Sequence, residues 1–244
     1  MSYSEIKAKI DYWSDTLESA ATNRGKYIAV SGNTGSGKST LVNALTEHFN
    51  ENNTFRRTIG INERLLHHPL LRLMFAKPHQ FAFGVQLNFL LQRYMVLLRW
   101  LMTGVTVVME RSHLDDALFI RHHYRKGHIG AEQLAAYENL AEVLHKDIPY
   151  PDVFICLSAS ADVSMERINA DEEKGERPKE FPSEAVKRDF VNSWAKRYAE
   201  YHRTIKARYL EFDKLKSKIC LEFSAELDIG FIIQEITRIL SKPE

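Results

Sequence analysis

Apolar residues recur along the chain in two rhythms. Short continuous runs read as strands buried on both faces, and longer stretches with apolar positions three and four apart read as helices. Ile6, Ile10, Trp13 and Leu17 predict a leading amphipathic helix over 1–24. Strands are expected at 26–31, 55–61, 105–109, 152–158 and 218–224. Between them helices are predicted at about 64–75 (broken near Pro78), 81–102, 115–126, 130–146, 161–170 and 183–213, with a terminal helix after the last strand. Thr103-Gly104 is placed to end the helix at 81–102, and Gly127 and Gly130 separate the next two. Strands alternating with helices predict an α/β fold, a five-stranded parallel sheet with helices on both faces. Neither repeats nor a linker interrupt the pattern, so residues 1–244 read as a single domain.

The helix at 81–102 is apolar on almost every face, which raises the question of a membrane span. Arg93 and Arg99 interrupt it together with Gln86, Asn88 and Gln92, so a buried core helix fits better and no membrane partner is expected. Hydrophobic residues make up 44% and charged residues 27%, which is ordinary for a soluble globular protein. The net charge of +1 gives no reason to expect a nucleic-acid partner. Cys156 and Cys220 fall inside predicted strands and read as reduced thiols of a cytoplasmic protein, and no secretory signal opens the chain. His67-His68, His79 and His122-His123 lack further ligands at metal spacing.

Chemistry enters at Gly32-Asn33-Thr34-Gly35-Ser36-Gly37-Lys38-Ser39, a complete G-x-x-x-x-G-K-[ST] loop between a predicted strand and the helix opened by Thr40. Glycines let successive N–H groups turn toward one anion, and the helix N-terminus adds its positive end. Lys38 is expected to reach the β- and γ-phosphates of a nucleoside triphosphate, and the Ser39 hydroxyl to ligate Mg²⁺. Glu63 and Glu110 lie at the carboxyl ends of predicted strands, where ligands bind in such sheets. There a carboxylate can hold Mg²⁺ or accept a proton from an attacking hydroxyl, and Arg111 can neutralise a transferring phosphoryl group. Gln86 and Arg93, seven apart, share one face of an apolar helix, so the guanidinium needs a partner, and Asp116 can supply it. This set suits a purine or cytosine edge. It would serve equally as a structural buried ion pair.

Taken together these residues resemble the deoxynucleoside kinases, the family of deoxyadenosine, deoxyguanosine and deoxycytidine kinases. The likeness rests on the phosphate loop, Glu63 with Pro69 six residues on, Lys77-Pro78, Phe83-Gly84-Val85-Gln86, Gln92-Arg93-Tyr94, and Glu110-Arg111-Ser112 followed by Asp116. It spans roughly residues 26–200. It implies a phosphate-loop kinase fold with a lid at about 167–182, ATP or another triphosphate as donor with Mg²⁺, and a homodimer. It also implies that Glu63 is the base toward the sugar 5′-hydroxyl, that Arg111 positions hydroxyl and phosphates, and that Glu110 is the Mg²⁺-associated acid. Gln86, Arg93 and Asp116 become the base-reading set, and that pair is typically absent from members that prefer thymidine.

The resemblance has departures. Arg167 matches the first arginine of the family's lid pattern, but Asp171 and Glu173 occupy the next two positions. Arg177, Lys174 or Lys179 would then have to substitute. Glu176 stands where a glutamate contacts the sugar 3′-hydroxyl, Phe75 where a tyrosine does so, and Arg64 replaces a proline. A missing transition-state arginine can cost about three to five orders of magnitude in rate. The expectation is therefore ATP-dependent phosphorylation of a deoxynucleoside, a purine one or deoxycytidine. The alternatives are a non-catalytic nucleotide-binding relative and a kinase for another small hydroxyl substrate.

Overall fold

Tyr27-Ile28-Ala29-Val30-Ser31-Gly32 has no solvated position, and in the computed structural model it forms β1 (Tyr27–Gly32) at the centre of the sheet, buried at every residue. The structure describes residues 24–179, 181, 183–211, 215 and 217–240. The helix predicted over 1–24 lies almost wholly outside them. With β2 (Thr58–Ile61), β3 (Thr106–Glu110), β4 (Val153–Ser158) and β5 (Ile219–Ser224), β1 builds a parallel sheet of order β2-β3-β1-β4-β5.

Side chains alternate across the pleat and divide the core in two. Ile28, Val30, Val108, Val153 and Ile155 face α1 (Lys38–Glu51) through Leu41, Val42, Leu45 and Phe49, and α8 (Ile229–Leu240) through Ile232, Ile233 and Ile236. Tyr27, Ala29, Val107, Met109, Phe154 and Cys156 face the opposite way. They meet Leu97 and Leu101 of α3 (Pro78–Met102) and Ile205 and Tyr209 of α7 (Glu184–Glu211). A third core stands off the sheet. There α2 (Leu70–Ala76) and the first half of α3 pack on α4 (Asp116–Arg125) and α5 (Ala131–Leu144) through Met74, Val85, Phe89, Leu90, Ile120 and Tyr137. Since α3 serves two cores in succession, its apolar positions point in several directions. By length and composition it passes for a membrane span, but its buried residues belong to these two cores.

Several boundaries differ from the sequence reading, and β2 begins at Thr58 rather than 55. The helix expected at 64–75 is a 3-10 turn at Glu63–Leu66 followed by α2, because His67 is extended and the residue before Pro69 is disfavoured in the helical region. Pro78 opens α3 rather than breaking a helix. At the first position its missing N–H needs no partner. Finally, α6 (Ala161–Glu173) runs through Asp171, Glu172 and Glu173, so the acidic start of the expected lid is helical. Cys156 and Cys220 lie on adjacent strands as free thiols, their sulfurs 3.9 Å apart.

Candidate active site

The loop after β1 is shaped by close approaches that exclude a side chain. A Cβ at Gly32 would meet the Leu157 carbonyl oxygen at 2.4 Å. One at Gly35, where φ is +76°, would meet that of Ser164 at 2.6 Å. Asn33 fastens the loop: its Oδ1 accepts from the Thr34 N–H at 2.8 Å, and its Nδ2 donates to the Val191 carbonyl of α7 at 3.1 Å. The Ser36 Oγ is buried without a hydrogen-bond partner among the described residues. Gly37 precedes α1, and Thr40 is exposed on the helix's first turn. Arg167 of α6 lies over the rim, with Nη1 3.2 Å from the place of a Gly37 Cβ and Nη2 donating to the Ala225 carbonyl at 2.7 Å.

Lys38 Nζ donates to the Asn33 carbonyl at 2.8 Å and stands 3.7 Å from Glu110 Oε1. Burial lowers its pKa to about 8, Arg111 pushing the same way against Glu110 and Glu63. The other Glu110 oxygen accepts from the Ser39 hydroxyl at 2.8 Å and from the Glu63 backbone N–H at 3.2 Å. One carboxylate at the end of β3 therefore joins the phosphate loop to the segment after β2.

Arg111 follows Glu110 in the left-handed region, φ +60°, where its N–H still donates to the Val30 carbonyl at 2.8 Å. That backbone turn swings the guanidinium out of the sheet. Nη1 pairs with Glu63 Oε2, Nε donates to the Tyr198 hydroxyl at 3.0 Å, and the group lies 4.8 Å from the Phe119 ring centre. Arg93 Nη2 approaches the other Glu63 oxygen at 3.9 Å. Burial pushes the Glu63 carboxyl up, but Arg111, Arg93 and Lys38 outweigh it and hold the group below the ordinary glutamate range.

Arg93, 1% exposed, pairs through Nη1 with Asp116 Oδ1. The Asp116 carboxyl is raised to about 6 by burial, against the pull of Arg93. Gln86 lies buried on the same helix, its Nε2 3.9 Å from Met74 Sδ. The structure thus brings Lys38, Ser39, Glu63, Arg93, Glu110, Arg111 and Asp116 together around the carboxyl ends of β1 to β3, with Gln86 two turns before Arg93 on α3. Phe75 is 56% exposed on α2, where its neighbour Met74 takes the inward position, and Glu176 is exposed beyond α6.

Several neighbours of these residues escaped the sequence reading. Tyr198 comes from a distant helix, and Phe119, three residues after Asp116 on α4, is marked by no local pattern. Asp115 had a signal: standing three after Ser112, it accepts from that residue's N–H and hydroxyl at 2.8 and 2.7 Å. It also accepts from Ser31 Oγ at 2.5 Å, and Ser31 in turn contacts His202 at 3.0 Å. At the end of α6, Glu172 rather than Asp171 or Glu173 turns inward. Lys187 of α7 holds it at 2.7 Å while bonding Asn169 Oδ1 and Glu184 Oε1, each at 2.7 Å.

A glycine loop feeding a helix from the central strand, with acids at neighbouring strand ends, defines a phosphate-loop protein that binds a nucleoside triphosphate. The deoxynucleoside kinase family model matches residues 28–240, and the chain belongs to that family of enzymes. No curated protein sequence matches the chain. Among solved structures it resembles deoxyadenosine kinase from M. mycoides with bound dCTP (TM-score 0.64, 20% identity, 87% of this chain and 97% of that one covered). The same enzyme with bound dATP gives TM-score 0.64 and 18% identity, covering 88% of this chain and 100% of that one. With the products dCMP and a flexible dCDP the values are 0.62, 19%, 87% and 97%. At these identities the likeness is one of fold.

Proposed function

We propose that this protein transfers the γ-phosphoryl group of ATP to the 5′-hydroxyl of a deoxynucleoside whose base carries an amino group, a purine or cytosine. The observation that carries the reading is the unbroken link from donor to acceptor side: Ser39 to Glu110, Glu110 to Glu63, and Glu63 to both Arg111 and Arg93.

Glu63, ionised between its arginines, takes the 5′-hydroxyl proton as that oxygen bonds to the γ-phosphorus and the bond to the β–γ bridging oxygen breaks, releasing ADP. Arg111, held by Tyr198 and Phe119, neutralises charge on the moving group. Lys38 exchanges the Asn33 carbonyl for β- and γ-phosphate oxygens, and Arg167 covers the loop's rim. The hydroxyl of Ser39 and carboxylate of Glu110 are the hard oxygen donors that Mg²⁺ takes, and when bound it would neutralise charge between the β- and γ-phosphates. Gln86, Arg93 and Asp116 face the base. Family likeness also supports a homodimer, for which α3 offers exposed Leu91 and Met95.

The test is phosphate transfer from Mg·ATP and Mg·GTP to each deoxynucleoside beside its ribonucleoside, with Glu63→Gln alongside. Turnover on an amino-bearing deoxynucleoside, lowered about 10²–10⁴-fold in the variant while ATP still binds, is the expected result. Retained turnover in Glu63→Gln removes its role as base. A chain that binds ATP and transfers to no nucleoside is a non-catalytic relative or acts on another hydroxyl, the outcome that Asp171 and Glu173 in place of lid arginines would favour.

A further inference from the structure

Tyr137 of α5 is 2% exposed, and its ring belongs to the apolar cluster that includes Val85, Phe89 and Leu90 of α3 and Ile120 of α4. Its hydroxyl has no hydrogen-bond partner among the described residues. The same is true of three further atoms: Arg93 Nε, Arg93 Nη2 and Asp116 Oδ2. In that cluster Phe89 lies one turn before Arg93 on α3 and Ile120 one turn after Asp116 on α4, which places Tyr137 beside the pair whose charges also act on its phenol. Gln86 lies between Val85 and the Phe89 turn on the same stretch of α3. A buried polar atom without a partner costs free energy, and native proteins leave few of them. Arg93 Nη2 faces Glu63 at 3.9 Å, which leaves one uncommitted polar atom on each of three residues, a set that a polar ligand can satisfy. Burial raises the phenol pKa, with Asp116 adding and Arg93 opposing, so the hydroxyl stays protonated and can donate.

We infer that Tyr137 is a specificity residue of the acceptor site, its hydroxyl donating a hydrogen bond to an acceptor atom of the nucleobase. The inference rests on the deoxynucleoside reading above. Arg93 adds its Nε–H donor, and Asp116 Oδ2 accepts from an exocyclic amino group. Donors beside one acceptor match an edge on which an amino group adjoins a ring-nitrogen acceptor, which adenine, guanine and cytosine have. Thymine would turn a carbonyl oxygen toward the Asp116 carboxylate. Tyr137 reaches this edge from α5, which packs on both the helix of Arg93 and the helix of Asp116.

Tyr137→Phe removes one oxygen and keeps the ring. Because that oxygen is unpartnered in the free protein, the variant should melt at the wild-type temperature or slightly above it, whereas a structural hydroxyl would lower the melting point. With deoxyadenosine, deoxyguanosine, deoxycytidine and thymidine as acceptors, the kcat/KM preference for the best amino-bearing base over thymidine should fall about tenfold. The loss should sit in the nucleoside KM and leave the ATP KM unchanged. An active variant with wild-type base preference overturns the inference, as does a lower melting point with equal loss on all four acceptors. A wild-type chain that phosphorylates none of the four overturns the deoxynucleoside reading itself, and the inference with it.

Discussion

Glu63 sits between two guanidinium groups and is held below the ordinary carboxylate range, while Asp116, deeper and beside one of the same arginines, is raised to about 6. The two acids of the acceptor side therefore respond differently to pH. As pH falls through about 6, Asp116 takes a proton and loses its acceptor, whereas Glu63 stays ionised as base. The nucleoside KM should rise below pH 6 with little change in kcat, and a pH profile of the two constants checks this. Linkage gives the stability sign. The folded-state pKa of Asp116 lies above the unfolded one, so its stabilising contribution is complete below about 4 and is lost as pH rises through 6. Weaker binding at pH 5.5 is then not unfolding at this residue, and the melting temperature separates the two. At the alkaline end Lys38, lowered to about 8, sheds its charge, and the ATP KM should rise there. Most of these residues were legible in the sequence because phosphate chemistry demands particular side chains at particular spacings. Tyr137, Tyr198 and Phe119 were not, since aromatic residues at helical spacing read first as core.

At the scale of elements, α3 was legible as a helix but its two cores were not. Only the packing of α2, α4 and α5 on its first half explains why it is apolar in several directions. The segment after α3's partners differs more from its reading. The expected lid begins within the last turns of α6, and Lys187 ties it to α7 through Glu172, both side chains about 5% exposed or less. Sequence spacing pointed to Asp171 and Glu173, but helical geometry turns the residue between them inward. Lys187→Ala leaves Glu172 without its cation. It should speed amide exchange in the final turn of α6 and the first turn of α7 while the amides of β1 and β3 keep wild-type protection. A uniform loss of protection would show that the tie supports the whole fold and not this corner.

For the whole molecule, the parallel sheet puts the chemistry-bearing strand ends on one side and leaves a face of α3 open, with Leu91 41% and Met95 65% exposed one turn apart. A homodimer that covers this face predicts that Met95→Asp turns a dimer into a monomer in sedimentation measurements, with the melting curve of the monomer otherwise intact. A monomeric wild-type chain would remove that prediction. The sequence by itself determined the alternation of strands and helices, the parallel sheet, the phosphate loop and the acids at the strand ends, because periodicity and local chemistry are written in neighbouring residues. Tertiary structure decided which side chains meet. Glu110 bridges Ser39 and Glu63, and Arg111 leans on Tyr198, because each contact joins elements whose separation along the chain carries no local signal.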